Sequence, residues 1–389
     1  MLNLTSLLCS LDQPADALRY GRGHGSPRSA AERRPVVVWN VTRRCNLRCV
    51  HCYSDSAAQF YDGELTDAEC RTVCDDLAGF GVPAVLLSGG EPLMRPRFFE
   101  LASYARSLGL RLTLSTNGTL LTPPAAEQIK DLGFSYVGIS LDGIGAAHDS
   151  FRGRDGAFLK AMAAFRNCRE VGQKVGLRLT LTRHTVRELD NILRFIEDED
   201  VPRVCFYHLV YSGRGSELET LQPAETKAAL DKIMDRVEQW TAEGRPREVL
   251  TVDQPADAAY LLMRLDERDQ ARAGRARELL SWNGGGANSS GIGIGNIDSQ
   301  GNVHPDQFWQ SETLGNVKEQ PFSQIWTGTT SPVVAGLRQK PRPVEGRCAD
   351  CRWFSLCGGG FRVRAWQRTG NPWAEDPGCY LSQEDILLS

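Results

Sequence analysis

Between Pro35 and Leu209, short runs of β-branched and aliphatic residues alternate with longer stretches whose apolar positions recur every three or four residues. A short apolar run bounded by turn residues suits a buried strand, and the three-to-four spacing suits an amphipathic helix. Six runs predict strands, at 36–39, 84–87, 111–114, 136–139, 176–179 and 204–207. The stretches between them predict helices; in 66–80, for example, Leu65, Val73, Leu77 and Phe80 fall near one face and Gly81 offers a stop. Strand and helix in strict alternation build a parallel sheet with helical crossovers. Six such units are fewer than the eight of a closed barrel, so the expected fold is α/β, a partial (β/α)6 barrel over 35–213.

The pattern changes downstream. The segment 214–283 reads as a charged helical connection, and the glycine-rich run 284–291 breaks it with a loop able to approach a ligand closely. A small α+β module is expected over 284–389, starting with a strand-like 293–298, a turn at 299–302 and Val303-His304-Pro305. Residues 1–34, with Arg19, Arg22, Arg28, Arg33 and Arg34, read as an N-terminal extension.

Charge and cysteine content narrow the chemistry. In 389 residues, 45 Lys and Arg stand against 48 Asp and Glu, a net charge of −3 that gives no basic surplus for gripping nucleic acid or an acidic membrane. No apolar run reaches the roughly 18 to 20 residues of a spanning helix. The opening segment lacks the basic start of a secretory signal, so a cytoplasmic protein is expected. In a reducing compartment the 12 cysteines are not expected to form a disulfide framework. Seven of them cluster, as Cys45, Cys49 and Cys52 and then as Cys348, Cys351, Cys357 and Cys379, which points to metal.

The first group follows the first predicted strand, at the sheet end where open α/β folds and barrels hold ligands. Three thiolates can hold three irons of a [4Fe–4S] cluster and leave the fourth open, whereas structural zinc needs a fourth ligand. His51 is adjacent to Cys52, and two neighbours in a tight loop seldom aim at one metal. The second group has four thiols, enough to close a cluster or to hold zinc, and its spacing does not separate the two.

Cys45-Asn46-Leu47-Arg48-Cys49-Val50-His51-Cys52, followed by Ser88-Gly89-Gly90-Glu91-Pro92 after the second strand, resembles the radical S-adenosylmethionine (SAM) superfamily. The resemblance implies a [4Fe–4S] cluster on Cys45, Cys49 and Cys52 whose open iron takes the amino and carboxylate groups of SAM. It further implies an external electron donor of ferredoxin or flavodoxin type. Gly89 and Gly90 are then expected to let backbone approach the methionyl end, and Glu91 to accept from its ammonium. Ser140 and Arg152 resemble the pair that binds the SAM carboxylate, and Asn117, in Ser115-Thr116-Asn117-Gly118, is the expected nucleoside contact. The second cysteine group is similar to the C-terminal auxiliary-cluster module of this superfamily. Phe361 and Asp306 stand where the full module has further ligands, so one auxiliary [4Fe–4S] cluster on Cys348, Cys351, Cys357 and Cys379 is implied.

Within the superfamily, Asp16-Ala17-Leu18-Arg19-Tyr20-Gly21-Arg22, the stretch 205–215 and Asp306-Gln307-Phe308-Trp309 resemble the enzymes that remodel didecarboxysirohaem in haem and haem d1 synthesis. That implies an iron tetrapyrrole substrate and, as the activity, removal of two ring acetate side chains from 12,18-didecarboxysirohaem to give Fe-coproporphyrin III. Gly293-Ile294-Gly295-Asn296-Ile297-Asp298 leans instead to the members that replace ring propionates. A peptide-modifying maturase is the remaining alternative, and it would be expected to carry an N-terminal docking domain for which 34 residues leave no room. Tail aromatics (Phe308, Trp309, Trp353, Phe354, Phe361, Trp366, Trp373) and Arg347, Arg352, Arg362 and Arg364 suit a flat polycarboxylate. His208, expected to face the mouth with Val204 and Phe206, and His304 are candidates for ligating the substrate iron or delivering a proton. Tyr207, Tyr211 and Cys205 are candidate hydrogen donors.

Overall fold

The computed structural model describes residues 1–11, 16, 34–282 and 289–387; the arginines at 19, 22, 28 and 33, the 17–22 motif and glycines 284–286 lie outside them. Among the described residues one sheet contains β1 (Leu2–Asn3), β2 (Val36–Asn40), β3 (Val85–Ser88), β4 (Leu112–Thr116), β5 (Tyr136–Ser140), β6 (Val175–Leu181), β7 (Arg203–His208), β8 (Glu248–Val252), β9 (Ile294–Ile297), β10 (Asn302–His304) and β11 (Gly315–Asn316). Their order is β1-β8-β7-β6-β5-β4-β3-β2-β9-β10-β11. Pairing is parallel from β9 through β2 to β8 and antiparallel at both margins. The six predicted strands are β2 to β7, and the α/β partial barrel forms as expected.

Strand alternation separates two environments. Val37, Trp39, Val85, Leu87, Leu112, Leu114, Val137, Ile139, Leu177, Leu179, Val204 and Phe206 point to the helix layer and join the main core. The alternate positions, among them Val38, Leu86, Ser115, Ser140, Arg178, Thr180 and Tyr207, line a cleft inside the barrel. The helices are fixed by local signals. In Asp67–Phe80, the Thr66 and Glu69 side chains form a reciprocal capping box, and Gly81 takes the left-handed turn at φ 75° that ends it.

One strand, β8, and the pairing of another, β9, fall outside the sequence reading. β8 lies in the stretch read as helical: Glu248-Val249-Leu250-Thr251-Val252 is a five-residue run between the charged helices Pro223–Ala242 and Ala256–Arg268. Helical periodicity on both sides hides so short a run. β9, from the C-terminal region, pairs in parallel with β2, Val36 opposite Ile294 and Trp39 opposite Ile297, so the last part of the chain continues the barrel sheet. At the other margin the N-terminal residues are also built in: Leu2 and Asn3 pair with β8, and the helix Leu4–Cys9 is buried. No helix among the described residues is long and apolar enough to cross a membrane.

Candidate active site and auxiliary cavity

The loop that leaves β2 carries Cys45, Cys49 and Cys52, and hydrogen bonds from three other segments hold it. Gly90 N–H donates to Thr42 O at 2.8 Å and Glu91 N–H to Arg44 O at 2.8 Å. The C-terminal carbonyls of helix Ala146–Arg152 take the next donors, Arg48 N–H to Arg152 O at 3.2 Å and Val50 N–H to Phe151 O at 3.1 Å. From the far side Arg214 donates through its backbone to Cys52 O at 3.0 Å and through Nε to Cys49 O at 2.8 Å. The glycine before it, Gly213, has φ 54°, and a Cβ there would stand 2.4 Å from Cys52 O.

The three sulfurs each receive an N–H. Leu47 N–H lies 3.4 Å from Cys45 Sγ, Ser56 N–H 3.4 Å from Cys52 Sγ, and Arg152 Nη1 3.5 Å from Cys49 Sγ. Asn117 Nδ2 adds a second donor to Cys45 at 3.8 Å. All 12 cysteines are free thiols. Burial pushes the Cys45 thiol up to about 12, so the thiolate form depends on a metal displacing the proton. Three free thiols that face one cleft and accept N–H groups fit an iron–sulfur cluster, whose sulfurs are tuned by such bonds.

The Gly-Gly-Glu element also braces the cysteine loop. A Cβ on Gly89 would meet Thr42 O at 2.2 Å and one on Gly90 would meet Arg44 O at 2.3 Å, so both glycines are required by the cysteine loop itself. Glu91 is fully buried and lies outside the cleft lining. It accepts from Thr116 Oγ1 at 2.8 Å, Asn117 N–H at 2.8 Å and Leu93 N–H at 3.2 Å. Burial pushes this carboxyl up to about 7 against the pull of those donors. Glu91 thereby ties the ends of β3 and β4 beneath the cysteine loop. Replacing Gly90 with Ala is expected to displace that loop and weaken cluster assembly by about 10- to 100-fold, the range for losing a supporting contact; iron and sulfide per chain after reconstitution is the measurement.

The remaining expected contacts divide. Ser140 and Arg152 both line the cleft, but Arg152 also forms a buried ion pair with Asp142. Asn117 lines it too, with its amide engaged by Asn46 Oδ1 at 3.0 Å and by Thr119 N–H at 2.9 Å, which turns it toward the cysteine loop rather than an open nucleoside site. His51 stacks on Phe151 at 4.6 Å, and burial lowers its pKa to about 4. His208 and Tyr207 line the cleft. Val204 and Phe206 pack in the helix layer, and His208, which shares their parity, reaches the cleft lining at the end of β7. His208 Nε2 is 3.0 Å from Asp257 Oδ2, and Tyr380 Oη donates to Asp257 Oδ1 at 2.9 Å. Cys205 is enclosed with Leu250 and Val252 below the cleft floor, and Tyr211 packs under Arg368; neither lines the cleft, so neither is placed to give hydrogen to a ligand. His304 is spent on Glu312 O at 2.9 Å and Asp298 at 3.4 Å, which removes it as an iron ligand.

The second cysteine group converges as well. Cys348, Cys351, Cys357 and Cys379 line one cavity together with Gln254, Arg347, Trp353 and Asp376. Four thiols around one cavity are enough to close an iron–sulfur cluster. Most tail aromatics and arginines are structural. Trp309, Phe361, Trp366 and Trp373 pack with Val210, Leu337 and Val363, and Arg364 grips Asp376 with two bonds of 2.9 and 2.8 Å. Phe308 is the tail aromatic that reaches the cleft. Asp306 accepts from Phe308 N–H and Trp309 N–H at 2.8 and 3.0 Å and so shapes the turn that delivers it.

Sequence comparison gives the lineage. A family model described as the radical SAM superfamily matches residues 39–196, and one described as an iron-sulfur cluster-binding domain matches 293–352. The Fe-coproporphyrin III synthase of Methanosarcina barkeri is 48% identical over 396 residues, covering 99% of each chain. This chain belongs to the radical SAM superfamily. Its cofactors are therefore SAM and iron–sulfur clusters. Within the superfamily it is also similar to the pre-heme d1 synthase of Dinoroseobacter shibae, at 47% identity over 90% of this chain and 87% of that one. The AdoMet-dependent heme synthase of Methanosarcina barkeri follows at 32%, over 88% and 95%. In fold the radical SAM chain matches Streptococcus suis SuiB bound to S-adenosylmethionine, with TM-score 0.70, 16% identity, and 90% and 78% of the two chains covered. It also matches anSMEcpe with bound AdoMet and a peptide, with TM-score 0.67, 20% identity, and 89% and 94% covered.

Residues that sequence reasoning missed come mostly from β8 and the turn after it. Asp253 lines the cleft and Gln254, next in the chain, lines the auxiliary cavity and donates to Gly378 O at 2.5 Å. Asp257, three residues further on, orients His208. The signal was the short β-branched run ahead of them; Arg178 and Arg214 had no signal beyond their place in or after a strand.

Proposed function

We propose that this enzyme removes two ring acetate side chains from 12,18-didecarboxysirohaem to give Fe-coproporphyrin III. The observation that carries the reading is similarity to the Methanosarcina barkeri synthase along 99% of both chains. Cys45, Cys49 and Cys52 would hold the [4Fe–4S] cluster, which, with one electron from an external ferredoxin- or flavodoxin-type donor, would supply the chemistry of cleaving SAM to methionine and a hydrogen-abstracting 5′-deoxyadenosyl radical. The residues around it have separable tasks. Arg152 donates to the Cys49 sulfur and, with Ser140, presents hydrogen-bonding groups to the SAM carboxylate. The backbone at Gly89 and Gly90 forms the wall beside the methionyl end. Tyr207 and His208 face the substrate side, where burial keeps the tyrosine phenol protonated and Asp257 fixes the ring of His208. Cys348, Cys351, Cys357 and Cys379 hold one auxiliary [4Fe–4S] cluster. The cleft carries the three cluster thiols together with Ser140, Arg152, Tyr207, His208 and Phe308, so groups for SAM and for a second ligand share one wall.

A second reading rests on the 47% identity to pre-heme d1 synthase, nearly equal in degree but covering less of the chain. Anaerobic incubation with SAM, reductant and 12,18-didecarboxysirohaem, read by mass spectrometry, separates the two. Loss of two acetate arms is expected. A product in which ring propionates are replaced would move the enzyme to the second reading, and SAM cleavage with intact tetrapyrrole would remove both.

A further inference from the structure

Arg178 is a cation in the cleft that no described carboxylate neutralises. It projects from β6 into the barrel, and the neighbouring strand makes room: a Cβ on Gly138 would stand 2.5 Å from Arg178 Cδ. Through that gap the side chain spans three strands. Its Nη1 donates to Ser115 Oγ on β4, its Nε to Tyr207 Oη on β7 at 2.9 Å, and its Nη2 to the same phenol oxygen. The guanidinium carbon lies 5.0 Å from the Tyr207 ring centroid. Every one of these partners is neutral.

The contrast with Arg152 is informative. Arg152 lines the same cleft, and Asp142 pairs with it. No Asp or Glu among the described residues forms an ion pair with Arg178. Asp253 shares the cleft but forms no ion pair with Arg178. Taking a guanidinium out of water without a counter-ion costs several kcal/mol, and hydrogen bonds to a hydroxyl and a phenol recover only part of that. A fixed, under-neutralised guanidinium opening on a ligand cleft is a receptor for a carboxylate, the anion whose geometry its fork matches.

We propose that Arg178 binds a carboxylate of the substrate, with Tyr207 and Ser115 holding the guanidinium in place, so that one acidic arm of the macrocycle enters the barrel and orients the ring at the mouth. The inference rests on the tetrapyrrole reading above and adds to it the residue that selects a polycarboxylate. SAM also carries a carboxylate, and the test separates the two.

The experiment compares wild type with Arg178→Gln and Arg178→Lys, all full-length and cluster-reconstituted. Iron-coproporphyrin III is titrated by its absorbance, and SAM binding is measured by equilibrium dialysis. The glutamine variant is expected to bind the tetrapyrrole about 10-fold or more weakly, with SAM affinity within about twofold of wild type. The lysine variant, which keeps the charge and loses the fork, is expected to fall between, and it carries the test if the glutamine variant does not fold. Unchanged tetrapyrrole affinity overturns the proposal, as does a loss that falls on SAM instead. Failure of the wild-type protein to bind the tetrapyrrole would remove the proposed function, and this assignment with it.

Discussion

Replacing Cys49 with alanine is expected to reduce SAM cleavage to background, a loss of about 10³-fold or more, or some 4 kcal/mol of transition-state stabilisation. Cys49 is the middle thiol of the loop: its sulfur receives Arg152 Nη1 and its carbonyl receives Arg214 Nε. Those contacts place it between the helix end at Arg152 and the turn at Gly213, so no neighbouring thiol can shift to replace it. The measurement is 5′-deoxyadenosine formed under dithionite, with iron counted on the same samples. With one auxiliary cluster intact, iron is expected to fall from about eight to about four per chain. Cleavage that persists in the alanine variant would remove Cys49 from the ligand set. A wild-type count near four would instead leave one cluster where two are proposed.

The second large effect is thermodynamic. Asp142 is fully buried and accepts Thr180 N–H at 2.7 Å on one oxygen while Arg152 occupies the other. Burial opposes the charged carboxylate, yet Arg152, with His51 beside it, holds the carboxyl below the usual range. Asp142→Ala strands the Arg152 charge, and removing one partner of a buried pair costs about 3–5 kcal/mol. Anaerobic urea unfolding of the variant is the check. The double variant Asp142→Ala, Arg152→Met removes both charges and is expected to recover most of the loss, whereas two independent structural roles would simply add. A cost confined to a few tenths of a kcal/mol would show that the pair is not part of the frame.

How far the sequence could be read depends on where each signal comes from. Strands β2 to β7 were legible because each is a local apolar run between turn residues, and local signals survive in one dimension. The cysteine loop and the Gly-Gly-Glu element were legible as chemistry for the same reason. Their division of labour was not. Glu91 meets Thr116 and Asn117 only after β3 and β4 pair, and nothing in the spacing tells a carboxylate that caps a neighbouring loop from one that faces a ligand. The alternation of β7 was read with the wrong face toward the mouth: an apolar Val204 and Phe206 belong against the helices, which leaves the inward side to Tyr207. The tail aromatics misled through composition, since the same residue types build a small core and a flat binding surface.

The parallel pairing of β9 with β2 ties the history of the chain to its chemistry. Val38 and Asn296, joined by a hydrogen bond, are 258 residues apart in sequence, so the strand that leads into the cysteine loop gains its second neighbour only after β9 has been made. Until then β2 is a margin with unpaired N–H and C=O groups, the kind of edge that invites association between chains. A contact of such separation is also slow to form, because a long loop must close first. The nascent protein therefore passes through an interval in which the barrel is largely built while the base of its cluster-bearing loop is still exposed. The base of the cluster-bearing loop is therefore settled for iron–sulfur loading only once β9 has docked on β2.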